Sequence, residues 1–126
     1  MAAHRTSASR RFASGKTPAA GEATFAELGV DSDLAADLDA RGFTAPFPIQ
    51  AATLPDTLAG RDVLGRGRTG SGKTLAFSLP LVQRLAQQDK ARPGHPIGLV
   101  LAPTRELALQ IAEVIEPLAR VVDMDV

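Results

Sequence analysis

Residues 67–74 have the glycine spacing needed to hold a polyphosphate. They read Gly-Arg-Thr-Gly-Ser-Gly-Lys-Thr, which matches the pattern GxxxxGK followed by Ser or Thr. Glycines at these positions let the backbone turn tightly, so that successive N–H groups point toward one anion. A helix that begins at the loop directs its positive end at the same anion. Lys73 can neutralise charge on the β- and γ-phosphates, and the Thr74 hydroxyl can help to hold Mg²⁺.

This spacing predicts a nucleotide site in which Lys73 and Thr74 serve the chemistry and Thr74 is the metal ligand. The residues of this stretch that are predicted to contact the nucleotide are Arg68, Thr69, Gly70, Ser71, Gly72, Lys73 and Thr74. The alternative is a glycine-rich turn without a ligand. A strand predicted before the stretch and a helix predicted after it favour the nucleotide site.

A glutamine upstream of this loop has the donor and the acceptor needed to read adenine. The Gln50 amide carries one oxygen and one NH₂ group, which match the N6 donor and the N7 acceptor of the base. Phe25 can supply an aromatic face for the same ring. The alternatives are a solvated helix residue for Gln50 and an ordinary core aromatic for Phe25. Composition and spacing leave both alternatives open.

A third candidate site is Pro103-Thr104-Arg105, which follows an apolar run and begins a predicted helix. Ligands bind at the carboxyl ends of the strands in α/β sheets. A helix N-terminus, a Thr hydroxyl and an Arg guanidinium together can hold a phosphodiester. From spacing alone, however, a helix cap beside a surface arginine is the favoured interpretation.

Alternating helices and strands must position these residues. Helices are expected over about 32–41, where Asp31-Ser32-Asp33 offers capping oxygens, and from Pro48, with Pro55 breaking or kinking that helix. Two further helices are expected over 73–87 and over about 104–120.

Short strands are expected at 61–65 and at 97–101, the second buried on both faces, with a polar loop at 90–96 and another loop at 121–125. The order strand, helix, strand, helix indicates an α/β fold in which helices flank parallel strands.

The composition excludes several classes of function. The 126 residues allow one domain of ordinary size, and the absence of cysteine excludes disulfide scaffolds, Cys-based zinc sites and thiol catalysis. His4 and His95 lie far apart, so a His-based metal site is not expected. No apolar stretch is long enough to cross a bilayer, so no membrane association is expected. The zero net charge gives no overall attraction to nucleic acid, which leaves any such role to local geometry.

Residues 1–23 form a basic head with four basic residues and one acid, a net charge of +3. They show no apolar periodicity and are predicted to be disordered. A solvated tail is the favoured interpretation, ahead of a phosphate-attracting arm and of an organelle transit peptide. The expected location is therefore cytoplasmic, with an organelle as the alternative.

Together these segments resemble the DEAD-box ATP-dependent RNA helicases over about residues 24–112. Phe25 and then Gly42, Phe43, Pro46, Pro48, Ile49 and Gln50 resemble the Q motif of that family (residues 25–50). Residues 67–74 resemble motif I, the phosphate loop, and 103–108, which read Pro-Thr-Arg-Glu-Leu-Ala, are similar to motif Ia. Three motifs in the family's order are far more specific than the phosphate loop alone.

The resemblance implies an RecA-like ATP-binding domain, here residues 24–126, with ATP and Mg²⁺ as its cofactors. It implies that Phe25, Phe43, Pro48 and Gln50 contact the nucleotide. It also implies that Pro103, Thr104 and Arg105 hold the RNA backbone without reading its sequence.

Two departures from the family pattern are visible. Phe47 stands where the family usually has a small hydroxyl residue, so a polar contact made there is lost or rerouted. Gly67 and Arg68 replace the usual Ala-Gln, which makes the start of the loop looser and more basic.

The family's acidic motif, Asp-Glu-Ala-Asp, does not occur in the sequence. The resemblance places that motif, and a second RecA-like domain with arginine fingers, after Val126. We therefore expect the first part of a helicase domain, truncated before the acidic motif and inactive alone. Its unpaired strands should make it poorly stable or prone to aggregate, which a cooperative melt of the monomeric chain would contradict. The alternatives are a non-catalytic nucleotide- or RNA-binding remnant and another P-loop NTPase, such as a small-molecule kinase.

Overall fold

A computed structural model describes residues 23–126, and the predicted basic tail therefore lies almost entirely outside the described residues. Within that range the chain forms four α-helices: α1, Ser32–Ala40; α2, Pro48–Leu58; α3, Lys73–Ala86; and α4, Arg105–Val121. All four helices were predicted, and their periodic apolar residues explain why. None of these helices is both long and apolar enough to cross a membrane.

The N-terminal end of α1 differs from the prediction. Asp31 occupies the N-cap position, but its carboxylate makes no capping hydrogen bond, so the predicted side-chain cap is wrong. Instead, the Asp31 N–H donates to Gln83 Oε1 at 2.8 Å, while Gln83 Nε2 donates to the Gly29 carbonyl at 2.9 Å. At the other end Gly42 has a φ of +87°, and the Phe43 N–H donates to the Leu38 carbonyl, which closes the helix.

Pro55 does not end α2, which continues to Leu58. Of the break or kink predicted at Pro55, the break is therefore wrong, while Pro48 begins the helix as expected. A proline removes one backbone hydrogen bond, and the packing of α2 along α3 outweighs that loss. α3 and α4 likewise continue through Pro80 and Pro117.

The core forms where α3 packs against α2 and α4, with α1 covering α4. Its fully buried members include Leu34 and Leu38 of α1, Leu54 of α2, Leu79 of α3 and Leu118 of α4. Each such leucine contributes about 1.5–3 kcal/mol by leaving water. α3, which begins at the glycine-rich loop, is therefore held in place from both sides.

The two predicted strands are not hydrogen bonded into a sheet within residues 23–126. The run at 97–101 packs one face on the helices, because Val100 lies against the core and Gly98 lies beside Leu85. Its other face is open, with Leu99 and Leu101 79% and 83% exposed, so the prediction of burial on both faces is wrong here. The cause is that no segment of the described chain pairs with this run, and a parallel strand needs such neighbours.

An exposed ion pair joins the loop after α3 to the segment after α4. The loop at 90–96 is polar, as predicted, and contains an isolated antiparallel β-bridge between Arg92 and His95. Lys90 Nζ lies 2.6 Å from Asp123 Oδ2. This hydrogen bond raises the pKa of Lys90 and lowers the pKa of Asp123. The segment after α4 is irregular, as the sequence predicted.

Candidate nucleotide-binding site

The loop before α3 adopts a conformation that only glycine accepts readily. Gly70 and Gly72 have φ values of +79° and +84°, in the left-handed region. Gly72 is the N-cap of α3, so the backbone N–H groups of the first helical turn have no partner within the helix. These N–H groups and the helix dipole make the start of α3 a site for an anion.

Polar groups around this loop fit a magnesium nucleotide. The Lys73 ammonium donates to the Gly67 carbonyl, so the charge lies over the loop. The Ser71 hydroxyl oxygen is buried there without a hydrogen-bond partner in the described structure. Residues 23–126 contain no cluster of three or more His, Asp or Glu side chains for a metal. The Thr74 hydroxyl could supply one ligand to a Mg²⁺ ion at this site, with phosphate oxygens and waters among the others.

Gln50 connects the start of α2 to the phosphate loop. Its Oε1 accepts from the Phe47 N–H at 2.9 Å, and its Nε2 donates to the Gly72 carbonyl at 3.1 Å. The side chain is only 3% exposed, so the alternative of a solvated residue is wrong. An amide has two donor hydrogens and two acceptor lone pairs, and the protein uses one of each. The adenine contact predicted for Gln50 is not tested by this arrangement.

The structure places the three other residues that the resemblance assigned to the nucleotide in the core or at the surface. Phe25 is 4% exposed and belongs to the hydrophobic core, where the alternative interpretation placed it. The ring of Phe43 is exposed, and the Arg41 guanidinium lies 5.6 Å from its centroid. Pro48 lies exposed in the first turn of α2. Their contacts with a nucleotide stay predictions.

A cleft of about 860 Å³ opens beside the phosphate loop. The loop lines it with Lys73 and Thr74, and α4 contributes Leu107 and Gln110. The volume is within the range of about 300–1,000 Å³ that is typical of small-ligand sites. A second groove of about 350 Å³, between α3, α4 and the run at 97–102, is mainly apolar and lies away from the loop.

Sequence reasoning missed several residues that line this cleft. Those not predicted as site residues are Phe47, Ile49, Thr53, Thr57, Val63, Gly65, Ala76, Phe77, Leu107, Gln110 and Ile111. Among them, Phe47 and Ile49 lie in the stretch that resembles the Q motif, and Leu107 lies in the stretch that resembles motif Ia. Phe47 also departs from the family pattern. The position of the others depends on how α2, α3 and α4 pack and, for Val63 and Gly65, on the segment between α2 and α3.

The segment Pro103-Thr104-Arg105 lies on the surface at the start of α4. Thr104 Oγ1 accepts from the Leu107 N–H at 3.2 Å, so the residue is a helix cap, as spacing alone favoured. Arg105 is exposed and forms no ion pair with the described part of the chain. The structure thus leaves the guanidinium accessible to solvent, and its contact with RNA stays a prediction.

The loop, the helix that follows it and the adjoining cleft define a nucleotide-binding domain of the P-loop class. Residues 47–126 match the family model described as "DEAD/DEAH box helicase". The chain belongs to this family, which confirms the resemblance seen in its three motifs.

Comparison with individual proteins gives the same family. The chain is 55% identical over 92 residues to "ATP-dependent RNA helicase DeaD" of Escherichia coli K12, covering 73% of this chain and 14% of that protein. Among solved structures it is similar to the Chaetomium thermophilum RNA helicase Prp28 bound to ADP, with a TM-score of 0.72 and 38% identity, over 79% of this chain and 24% of that one. Saccharomyces cerevisiae Dbp5 bound to RNA and ADP BeF3 is similar with a TM-score of 0.63 and 34% identity, over 78% of this chain and 25% of that one.

These likenesses support the RecA-like fold class. They do not confirm the two parallel strands, because the segments at 61–65 and 97–101 are unpaired within the described residues. The chain spans 14% of the length of the DeaD protein, so the activity of a whole helicase is proposed for this chain and not shown by the comparison.

Proposed function

We propose that this chain is the nucleotide-binding part of an ATP-dependent RNA helicase, which hydrolyses ATP to separate RNA strands. The observation that carries the proposal is the backbone conformation of the loop: Gly70 and Gly72 have positive φ values, and Gly72 leads directly into α3. The named activity of the relative DeaD and the ADP and RNA bound in the two similar structures support it.

The residues of the loop bind and orient the triphosphate. The free N–H groups at the start of α3 donate to phosphate oxygens, and the loop supplies them without rearranging the helix. The Lys73 ammonium exchanges its hydrogen bond with the Gly67 carbonyl for phosphate oxygens. When bound beside Thr74, Mg²⁺ supplies further positive charge to the β- and γ-phosphates. The half-buried Thr74 hydroxyl would be one of the ligands that hold that ion.

Hydrolysis also needs a carboxylate to organise the metal and the attacking water, and positive charge on the transition state. Among the described residues, the cleft is lined by no Asp, Glu or Arg. We therefore propose that residues 1–126 bind ATP but do not hydrolyse it alone. The test is RNA-stimulated ATP turnover by the full-length gene product. ATP binding without any turnover in that protein would instead indicate the non-catalytic remnant.

Replacing Gln50 with alanine should weaken ATP more than GTP. A bidentate amide contact with a base contributes about 1–3 kcal/mol of discrimination, so the ATP preference should fall about 5- to 150-fold. Equilibrium binding of both nucleotides to the full-length gene product measures it. Gln50→Glu is the matched variant, since it keeps an acceptor for the Phe47 N–H and loses the donor to the Gly72 carbonyl. Equal losses of affinity for ATP and GTP, or no loss for either, would show that the Gln50 amide contacts the phosphate loop and does not read the base.

Replacing Arg105 with alanine should weaken RNA binding by about one phosphate contact. The slope of log affinity against log salt should fall by about 1, equally for RNAs of different sequence. Arg120→Ala is the matched control, because Arg120 is an exposed arginine in the last turn of the same helix and pairs with Glu116. An unchanged slope for Arg105→Ala, or the same change in the control, would remove Arg105 from the RNA site.

A further inference from the structure

The ring of Phe47 lies half-exposed against the phosphate loop. It is 51% exposed and does not belong to the hydrophobic core. A Cβ atom placed on Gly72 would lie 2.6 Å from Phe47 Cδ2, so the ring is in direct contact with the loop. The Phe47 N–H donates to Gln50 Oε1 at 2.9 Å, which fixes the residue at the start of α2.

This placement gives the cleft an aromatic wall that the sequence did not assign to it. Phe47 lines the cleft together with Thr69, Lys73 and Thr74. A large apolar ring left in water is unfavourable, and the described fold offers no further cover for it. The ring therefore leaves apolar surface exposed beside the groups that are proposed to hold phosphates.

Neither of the other two aromatic residues assigned to the nucleotide presents such a surface to the cleft. Phe25 is buried in the core, and Phe43 lies beneath the Arg41 guanidinium outside the residues that line the cleft. Phe47 is also the residue at which this sequence departs from the small hydroxyl residue usual in the family. Phe77, which is 39% exposed, is a second aromatic residue lining the cleft, but it lies one turn into α3, whereas the Phe47 ring lies against Gly72.

We infer that Phe47 is a further nucleotide contact, whose ring stacks on the base of the bound nucleotide. The inference deepens the proposed function and rests on it. Stacking uses the π-face that every base has, so it strengthens binding without choosing between bases. Phe47 therefore supplies affinity, whereas discrimination between adenine and guanine is left to hydrogen-bonding groups such as the Gln50 amide.

The competing explanation is that Phe47 only packs on Gly72 and holds the loop in shape. The two roles differ in which part of the ligand they affect. A stacking ring acts on the base, so tripolyphosphate, which has no base, binds equally well without it. A packing ring acts on the loop, so its loss weakens tripolyphosphate as well. Phe47→Leu separates the roles further, because leucine keeps apolar contact with Gly72 but has no aromatic face.

The test compares the full-length gene product with its Phe47→Ala, Phe47→Leu and Phe47→Trp variants in equilibrium binding of ATP, GTP and tripolyphosphate with Mg²⁺. We expect alanine and leucine to weaken ATP and GTP equally, by about 5- to 100-fold, and to leave tripolyphosphate unchanged. The Phe47→Trp variant should bind ATP and GTP about as tightly as the wild-type protein. Its emission, measured as the difference from wild type, should be quenched by ATP and not by tripolyphosphate.

Each opposite result overturns a distinct statement. A wild-type protein that binds neither the nucleotides nor tripolyphosphate overturns the proposed function, and the inference with it. A wild-type protein that binds ATP while Phe47→Leu binds it equally well overturns only the stacking role. A Phe47→Ala variant that loses tripolyphosphate as strongly as ATP also overturns it, in favour of packing.

Discussion

Replacing Lys73 with alanine should lower the ATP affinity of the full-length gene product by about 30-fold or more and abolish its ATP turnover. Lys73 is the first residue of α3, and its ammonium lies over the loop on the Gly67 carbonyl. Removing one partner of a hydrogen-bonded charge pair costs about 2–5 kcal/mol, which is the source of this estimate. Titration calorimetry with ATP, and a turnover assay with RNA present, measure the two effects.

Lys90→Ala is the matched control for this prediction. Lys90 is an exposed lysine in the loop after α3, it bonds to Asp123, and it lies outside the cleft beside the phosphate loop. Its removal should leave ATP affinity and turnover unchanged. Wild-type affinity in the Lys73→Ala variant, or an equal loss in the control, would show that the loop does not hold phosphates through this side chain.

The helices could be predicted because their signals are local. In α1, Leu34 and Leu38 lie one turn apart and both are fully buried, so the spacing alone indicates which face packs inward. The predicted break at Pro55 is wrong because the sequence shows the one lost backbone hydrogen bond but not the tertiary contacts of α2. In the folded chain α2 lies along α3, and this packing sustains the last turn.

The strands could not be settled from the sequence because a strand depends on its neighbours. The run at 97–101 has the apolar composition of a buried strand, and its alternate residues do face the helices. Leu99 and Leu101 face away from them and stay exposed, since nothing within residues 23–126 covers that side. Composition indicates what a segment tolerates, whereas pairing is decided by the rest of the fold.

The phosphate loop was the most predictable part of the site, because its requirement for glycine is a local property of the backbone. Gly70 and Gly72 have the positive φ values that the motif demands. Contacts between distant segments were not predictable in the same way. The Gln50 amide reaches a carbonyl 22 residues further along the chain, and the ring of Phe47 lies against the same glycine. A sequence motif does not specify which distant segments come into contact in the fold.

Replacing Gly72 with alanine should damage the loop more than the same change at any other glycine of the motif. The φ of +84° makes alanine unfavourable by about 1 kcal/mol or more. The new Cβ would also lie 2.5 Å from Gln50 Nε2 and 2.6 Å from Phe47 Cδ2, and overpacking of this kind costs about 1–3 kcal/mol. We expect a total loss of about 2–4 kcal/mol in local stability. ATP and tripolyphosphate should both bind more weakly, because the N–H groups at the start of α3 move.

Gly70→Ala separates the two causes within the same loop. Gly70 has a similar φ of +79°, but a Cβ there would meet nothing within 4 Å. It should therefore lose only the backbone part, so the difference between the two variants measures the packing of Gln50 and Phe47 on Gly72. Hydrogen exchange of the α2 and α3 amides in the full-length gene product reports the local stability of each variant. Equal protection in the two variants would mean that Gln50 and Phe47 move aside at little cost, and that Gly72 is required for its φ alone.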